Sequence, residues 1–530
     1  GYEPGQELWS CVAYVAVPMD EQHHEICHSC LRFISSQPYR CSGCNYARFC
    51  STKCMIAHRR LHNEECKSLG FLQSNRFIGK TDIPDGERSD PGNSAYVSKV
   101  SGDLMLLLTR VLATKKLQHE RKQLRVIGER RTSGGVRSVK LKAVSSVKHK
   151  EFLELPIHPA GQIADVVKPI KQFVESRILP IVQTELYQEV EADEMTSLIV
   201  RAIMHSRTLY TKEGYESGCK GIYLPLAYIQ HSCEPNCHVN FGQNGKISLR
   251  CIRSVSPGEQ LTISLVNPAQ ILGPRRKSLE NVGVKRCMCS RCSREEKDSQ
   301  KPLFLCGKCG SPLAVVPDQA SNSSVFENSD VDHRTDYRCS KCATPYAHSD
   351  IKDTETRFEE DFEQCSELAT NGEFDRSIKL LKQILVQNSW RNIDSSSSLI
   401  LHSLHPGRMS VNRLLLSLCK ATQNVSETAQ AARNIVDILE ELCTPPCSSL
   451  AMAFFDLGSA LSMSSNNDEV ESAVQSLKRA EAIRSILSGS DHELTRHIRK
   501  MVISLENKKT SQQTKKQKKK KGKKGKGKRR

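Results

Sequence analysis

No stretch of this 530-residue chain approaches the roughly 20 consecutive apolar residues that a membrane-crossing helix needs, so no helical span is expected. A secretory leader is lacking too: Gly1 to Asp20 has neither a basic start nor a long apolar stretch. The chain opens on Gly1 instead of Met, and an N-terminal portion is expected to be missing. Basic residues interleaved with aromatics are absent from the body of the chain, which leaves no single-strand nucleic-acid groove legible there. Acidic residues are absent from Lys508–Arg530, which holds 14 Lys and Arg, so the remainder carries just +4 of the net +18. Such a segment cannot bury a core and its charges repel one another, so it is expected to be disordered. It is suited to attract nucleic acid, an acidic protein surface or an import receptor, or else to serve solubility alone.

What is present is a body with 38% hydrophobic residues and a length that corresponds to about three or four domains. It carries 23 cysteines. Without a leader, a disulfide framework is disfavoured, because reducing compartments keep thiols open. Spacing points to metal. Cys27-x2-Cys30, Cys41-x2-Cys44, Cys50-x3-Cys54 and His62-x3-Cys66 place seven Cys and one His within forty residues. Eight such ligands make two closed tetrahedral zinc sites. The x2 spacing brings two thiolates from one tight turn to one ion, and x3 spacing sets ligands one helical turn apart.

This order of pairs resembles a MYND zinc finger, a protein-interaction module. The resemblance implies interleaved sites: Cys27, Cys30, Cys50 and Cys54 on one zinc, and Cys41, Cys44, His62 and Cys66 on the other. Metal then supplies the folding free energy of a segment with almost no core, and zinc removal is expected to unfold it. Related fingers carry Gln and Trp that help to form a groove for proline-containing peptides; Met55 and Arg59 stand at those positions here.

Farther along, Gln230-His231-Ser232-Cys233-Glu234-Pro235-Asn236 resembles the SET-domain motif N-H-S-C-x-P-N. Alternating stretches around His238 and Lys246, with Gly245 between them, are expected to be strands. Pro257-Gly258-Glu259-Gln260-Leu261-Thr262-Ile263 resembles the family's turn into a further strand, and Cys287-x-Cys289-x2-Cys292 its post-SET cluster. Three thiolates leave a tetrahedral zinc one ligand short; the resemblance supplies Cys233. Beyond it, Cys306-x2-Cys309 and Cys339-x2-Cys342, 29 residues apart with a Ser/Asn/Asp-rich Ala320–Asp332 between, are expected to form a zinc ribbon with a disordered tip. The eight remaining cysteines, Cys11, Cys219, Cys237, Cys251, Cys365, Cys419, Cys443 and Cys447, are expected to be small buried hydrophobes.

Helical periodicity marks Leu104–Leu112 and Ile163–Val174. Between them, the basic stretch Lys115–Lys150 lacks the pattern over much of its length, and Ser133-Gly134-Gly135 marks a loop, so a solvated, partly disordered insertion is expected. From Thr354 to Asn507, amphipathic stripes recur at Phe374–Leu385, Ala431–Leu442, Leu450–Leu461, Val474–Leu487 and Leu494–Leu505. They resemble the tetratricopeptide-like C-terminal domain of the SET and MYND domain family, without a clean 34-residue repeat.

The resemblance implies an α+β multidomain chain. Its expected order is an N-terminal part of a split SET domain (1–26), the finger (27–66), a linker and helical insert (67–210), the SET core (211–268), the post-SET zinc segment (269–300), the ribbon (301–350), the helical domain (351–507) and the tail (508–530). It also implies transfer of a methyl group from S-adenosylmethionine to a protein lysine, in the nucleus or cytoplasm, with protein partners at the finger and helical domain. The family's cofactor-contacting residues correspond to His205, Gln230 and His231, and its active-site tyrosines to Leu265 and Gly283. Neither of the last two has a hydroxyl to orient the amine or balance developing charge. Two functions therefore stand side by side: a divergent lysine methyltransferase, and an inactive zinc-dependent interaction scaffold. Association with nucleic acid through the tail is a third.

Overall fold

The computed structural model describes residues 1–75, 77, 102–131, 148–155, 164–179, 182, 184–210, 216–241, 245–280, 284, 286–295, 303–315, 337–385, 399–443, 447–464 and 466–507. Gly283, the Ser133 loop, Ala320–Asp332 and the tail Lys508–Arg530 lie outside these residues. The chain forms two compact units, Gly1–Gln230 with Asn236–Ile263, and His231–Pro235 with Ser264–Arg530.

In the first unit, Lys246–Cys251 is the central strand of an antiparallel sheet, flanked by Glu7–Val12 and Cys237–Phe241. Its alternation turns Ile247, Leu249 and Cys251 inward, each buried, and leaves Lys246 exposed on the other face. Gly245 enters the strand at φ 67°, a left-handed conformation that suits glycine. A second sheet sets Glu216–Ile222 between Val15–Pro18 and Ser206–Tyr210. Residues that precede the cysteine-rich finger thus pair with strands far later in the chain.

The helix Gly102–Arg131 buries Met105, Leu107, Leu108 and Val111 against this unit's core. It corrects the expectation for Lys115–Lys150 over its first part, because the helix runs on to Arg131. The residues responsible, Lys, Arg, Gln, Glu and Leu, are strong helix formers even without a sustained apolar stripe. Some of the charges also have tertiary partners: Lys115 Nζ reaches Glu194 at 2.5 Å and Lys116 Nζ reaches Glu64 at 3.4 Å. The Ile163–Val174 periodicity corresponds to the helix Ala164–Phe173, continued as a π-helical turn Val174–Ile178, with Ile170, Val174 and Ile178 buried.

In the second unit, the helices His348–Thr370, Phe374–Leu385, Pro406–Ala421, Val425–Leu442, Ser448–Leu461 and Asn467–Ser488 pack each on its sequence neighbour, followed by a helix over 493–507. Asn424 and Asn466 cap their helices by accepting from Glu427 N and Asp468 N. The first helix begins earlier than the apolar pattern implied, at His348, where the Ala347 N–H donates to the Asp350 carboxylate at 2.8 Å. The strand Phe304–Cys306 pairs with Leu399–Leu401, and Phe304, Leu313 and Tyr346 join the core of the helical array. Of the eight leftover cysteines, seven are buried; Cys11 is half-buried because it lies on an outer strand of its sheet.

Candidate functional site

The finger is built on the short hairpin Tyr39–Arg40 with Arg48–Phe49 and the helix Thr52–Ser74. Ser51 caps the helix by accepting from Cys54 N at 3.2 Å, which places Cys54 in the first turn and His62 and Cys66 one turn apart. Two quartets result, Cys27 with Cys30, Cys50 and Cys54, and Cys41 with Cys44, His62 and Cys66. The second unit holds two more, Cys233 with Cys287, Cys289 and Cys292, and Cys306 with Cys309, Cys339 and Cys342. In each quartet the ligand atoms lie within 4.8 Å of one another.

A tetrahedron with Zn–S bonds of about 2.3 Å has edges of about 3.8 Å. The sulfur separations match that edge: Cys30 to Cys50 3.7 Å, Cys41 to Cys66 3.7 Å, Cys233 to Cys287 3.9 Å, and Cys309 to Cys342 3.6 Å. His62 Nε2 stands 3.8 Å from Cys44 Sγ. Burial lowers the His62 pKa to about 4, which keeps its imidazole neutral, as a ligand must be. Every quartet also holds at least one thiol inclined to ionise; at Cys41 burial opposes this but is outweighed by hydrogen bonds from the Cys44 and Gly43 backbone. Cys30 is lowered to about 4, foremost by its hydrogen bond with Cys27; Cys289 to about 3, by Cys233; and Cys342 to about 6, by the Thr344 hydroxyl. These sets suit a structural zinc that closes all four positions with protein ligands, and they support zinc binding.

Around the motif, Asn236 is buried and its amide is used at both ends. Its Oδ1 accepts from Thr262 N at 2.7 Å, while its Nδ2 donates to Gln260 O at 2.8 Å and Glu259 at 3.1 Å. This asparagine clamps the Thr262–Ile263 strand segment. The other end of the motif lies in the second unit. There His231 Nδ1 accepts from Leu265 N at 3.1 Å, which leaves the ring proton on Nε2, 3.3 Å from Cys233 Sγ. His231 thereby steadies a metal ligand, a use that the motif alone did not disclose.

Of the residues assigned to a cofactor, His205 is 6% exposed at the end of the helix Ala192–His205, and Gln230 is exposed on the same unit. Both His231 ring nitrogens are engaged within the second unit, with Leu265 N and Cys233 Sγ. Leu265 contributes a backbone N–H at its position and no hydroxyl. Two donors to cysteine sulfur also escaped the sequence reading. The Tyr346 hydroxyl lies 3.0 Å from Cys306 Sγ, and Arg275 Nη2 lies 3.7 Å from Cys292 Sγ. No sequence signal marks either: Tyr346 follows a proline in a knuckle, and Arg275 sits in a run, Arg275-Arg276-Lys277, that looks solvated.

A MYND finger model matches residues 27–66, and a SET domain model matches residues 54–264. Among similar proteins, histone-lysine N-methyltransferase ASHR1 of Arabidopsis thaliana is 22% identical over 55% of this chain and 51% of its own length. Histone-lysine N-methyltransferase SMYD3 of Homo sapiens is 25% identical over 52% of this chain and 53% of its own. N-lysine methyltransferase SMYD2 of Gallus gallus is 22% identical over 57% of each. The chain thus spans about half the length of the curated relatives it matches. A solved Podospora putative kinesin light chain with nearly identical TPR-like repeats covers 28% of this chain and 65% of its own, at 19% identity and a TM-score of 0.21. A MYND finger and a SET domain on one chain, with SMYD proteins among its relatives, place it in the family of SET and MYND domain-containing proteins.

Proposed function

We propose that this protein acts as a protein-lysine methyltransferase dependent on S-adenosylmethionine, on a SET fold interrupted by the finger. The observation that carries this reading is the SET match across residues 54–264 in a chain whose relatives bear the name of lysine methyltransferases. The pairing of Val15–Pro18 with Glu216–Ile222 supports a finger inserted between two parts of that fold. Zinc is structural in this account: Cys233, Cys287, Cys289 and Cys292 would hold the His231 segment and the residues after the SET core together. S-adenosylmethionine would supply the methyl group. The finger and the helical array are assigned to protein partners, and the tail to nucleic acid or an acidic partner, with action in the nucleus or cytoplasm.

A second reading, an inactive interaction scaffold, is favoured by one feature. Leu265 stands where the family's orienting tyrosine is expected, and loss of such a preorganised group costs ~10²–10³ in rate. Calorimetry with S-adenosylmethionine, followed by methyl transfer to lysine peptides, separates the two. Binding with turnover supports the enzyme. Absence of binding overturns it in favour of the scaffold.

A further inference from the structure

Arg275 is among the largest side chains in the molecule to be fully withdrawn from solvent, at 0% exposed. It lies on the helix Leu272–Glu280, whose Leu272 and Leu279 form a small core with Cys233 and Cys292. Its Nη1 donates to Gln270 O at 2.6 Å, and its Nη2 points to Cys292 Sγ at 3.7 Å. Four thiolates around one divalent ion sum to a dianion, and a buried dianion is costly unless positive charge stands beside it. A guanidinium in this low-dielectric place supplies that charge, and an N–H donor to sulfur makes the thiolate a poorer target for protons.

We propose that Arg275 is the charge-balancing residue of the Cys233, Cys287, Cys289 and Cys292 site, so that metal retention there depends on its guanidinium. This rests on the metal reading of that quartet and concerns no other site. The ribbon quartet is arranged differently: its Cys306 receives a neutral phenol from Tyr346, and Cys342 is exposed. Outer-shell partners of metal ligands are worth ~10–100-fold in affinity.

The test uses the complete zinc-loaded protein and follows zinc release to a chromogenic chelator, counted in equivalents per chain. Arg275→Gln is expected to speed release of one equivalent ~10–100-fold and to leave the others unchanged. Arg275→Lys, which keeps the charge, should fall between. Leu279→Ala loosens the same small core without touching charge and should leave release near the native rate. Equal acceleration in Leu279→Ala and Arg275→Gln would overturn the proposal, because packing alone would then govern retention. So would native release from Arg275→Gln. Should Arg275→Gln fail to fold, Arg275→Lys and Leu279→Ala still decide it: lysine must retain zinc less well than arginine and the alanine variant must not. If this site carries no zinc in the native protein, the metal reading itself fails, which elemental analysis with Cys289→Ser shows separately.

Discussion

The finger and the ribbon use the same chemistry at different densities. In the finger, eight ligands fall within forty residues, and its two quartets share one hairpin and one helix. In the ribbon, four ligands are spread from Cys306 to Cys342, and one ligand-bearing strand, Phe304–Cys306, pairs with Leu399–Leu401 beside the helical array. Ligand spacing therefore says which residues meet, but not what their meeting holds together. The finger's two quartets lie side by side in one short segment, and Cys27, Cys44, Tyr46, Phe49 and Leu72 tie that segment into the core of the first unit. The ribbon's single quartet stands alone, and a metal there would anchor the edge of a larger apolar core to which Phe304, Leu313 and Tyr346 belong.

The largest expected effect breaks this comparison at the metal. Structural zinc is worth ~10–16 kcal/mol to a zinc-finger peptide. Cys44→Ser should therefore abolish protection of the helix Thr52–Ser74 in hydrogen exchange. Cys339→Ser should loosen Phe304–Cys306 and Leu399–Leu401 while Asn467–Ser488 keeps its protection. Loss of protection throughout the helical array in Cys339→Ser would show that the ribbon is more than a local anchor. Elemental analysis should give four zinc ions per chain, and two or fewer would remove the quartets of Cys233 and Cys306.

A smaller effect is expected at Asn236, where no metal acts. Asn236→Ala leaves the Gln260 carbonyl and the Thr262 N–H without their buried partner, each worth ~1–3 kcal/mol. Chemical denaturation should register ~2–6 kcal/mol, and an unchanged midpoint would show that water replaces the amide.

The smallest effect is a matter of pH. Burial holds the His405 pKa at about 4, against an ordinary value of 6.5, while its Nδ1 accepts from Gly407 N at 3.1 Å at the start of the helix Pro406–Ala421. The unfolded chain binds the proton more readily, so this contribution is complete above pH 6.5 and is lost as pH falls towards 4. The loss amounts to ~3 kcal/mol at most. Replacement of His405 by Asn, which can still accept at the cap, should flatten that slope in melting curves taken between those pH values.

Much of this was legible from sequence because ligand spacing and motif order are local signals. The quartets form from the sixteen residues that the spacing and the resemblance named, and Lys246–Cys251 keeps its alternation. What was not legible depended on partners distant in the chain. The Lys115–Arg131 stretch has little apolar stripe, yet it is helical, with Glu194 and Glu64 beside its first lysines. Arg275 belongs to a run of basic residues and nevertheless lies wholly inside, a fate decided by Cys292 and Gln270. The contacts of the His231 ring with Cys233 and Leu265 likewise join positions that the motif alone does not connect.

The five residues His231–Pro235 belong to the second unit, although the chain returns to the first at Asn236. During synthesis Cys233 emerges 54 residues before Cys287, the earliest of its three fellow ligands. At ~5–20 residues per second, that thiol waits roughly 3–10 s for a partner on the same chain. Over that interval it is open to capture by a wrong ion or a wrong cysteine. Cys219, Cys237 and Cys251 are nearer in the chain, but of the thiols that belong to a metal quartet, the seven of the finger are the ones already translated. Ordered filling of the finger first removes them from the contest, so the sequence of metal loading is written into the order of the chain.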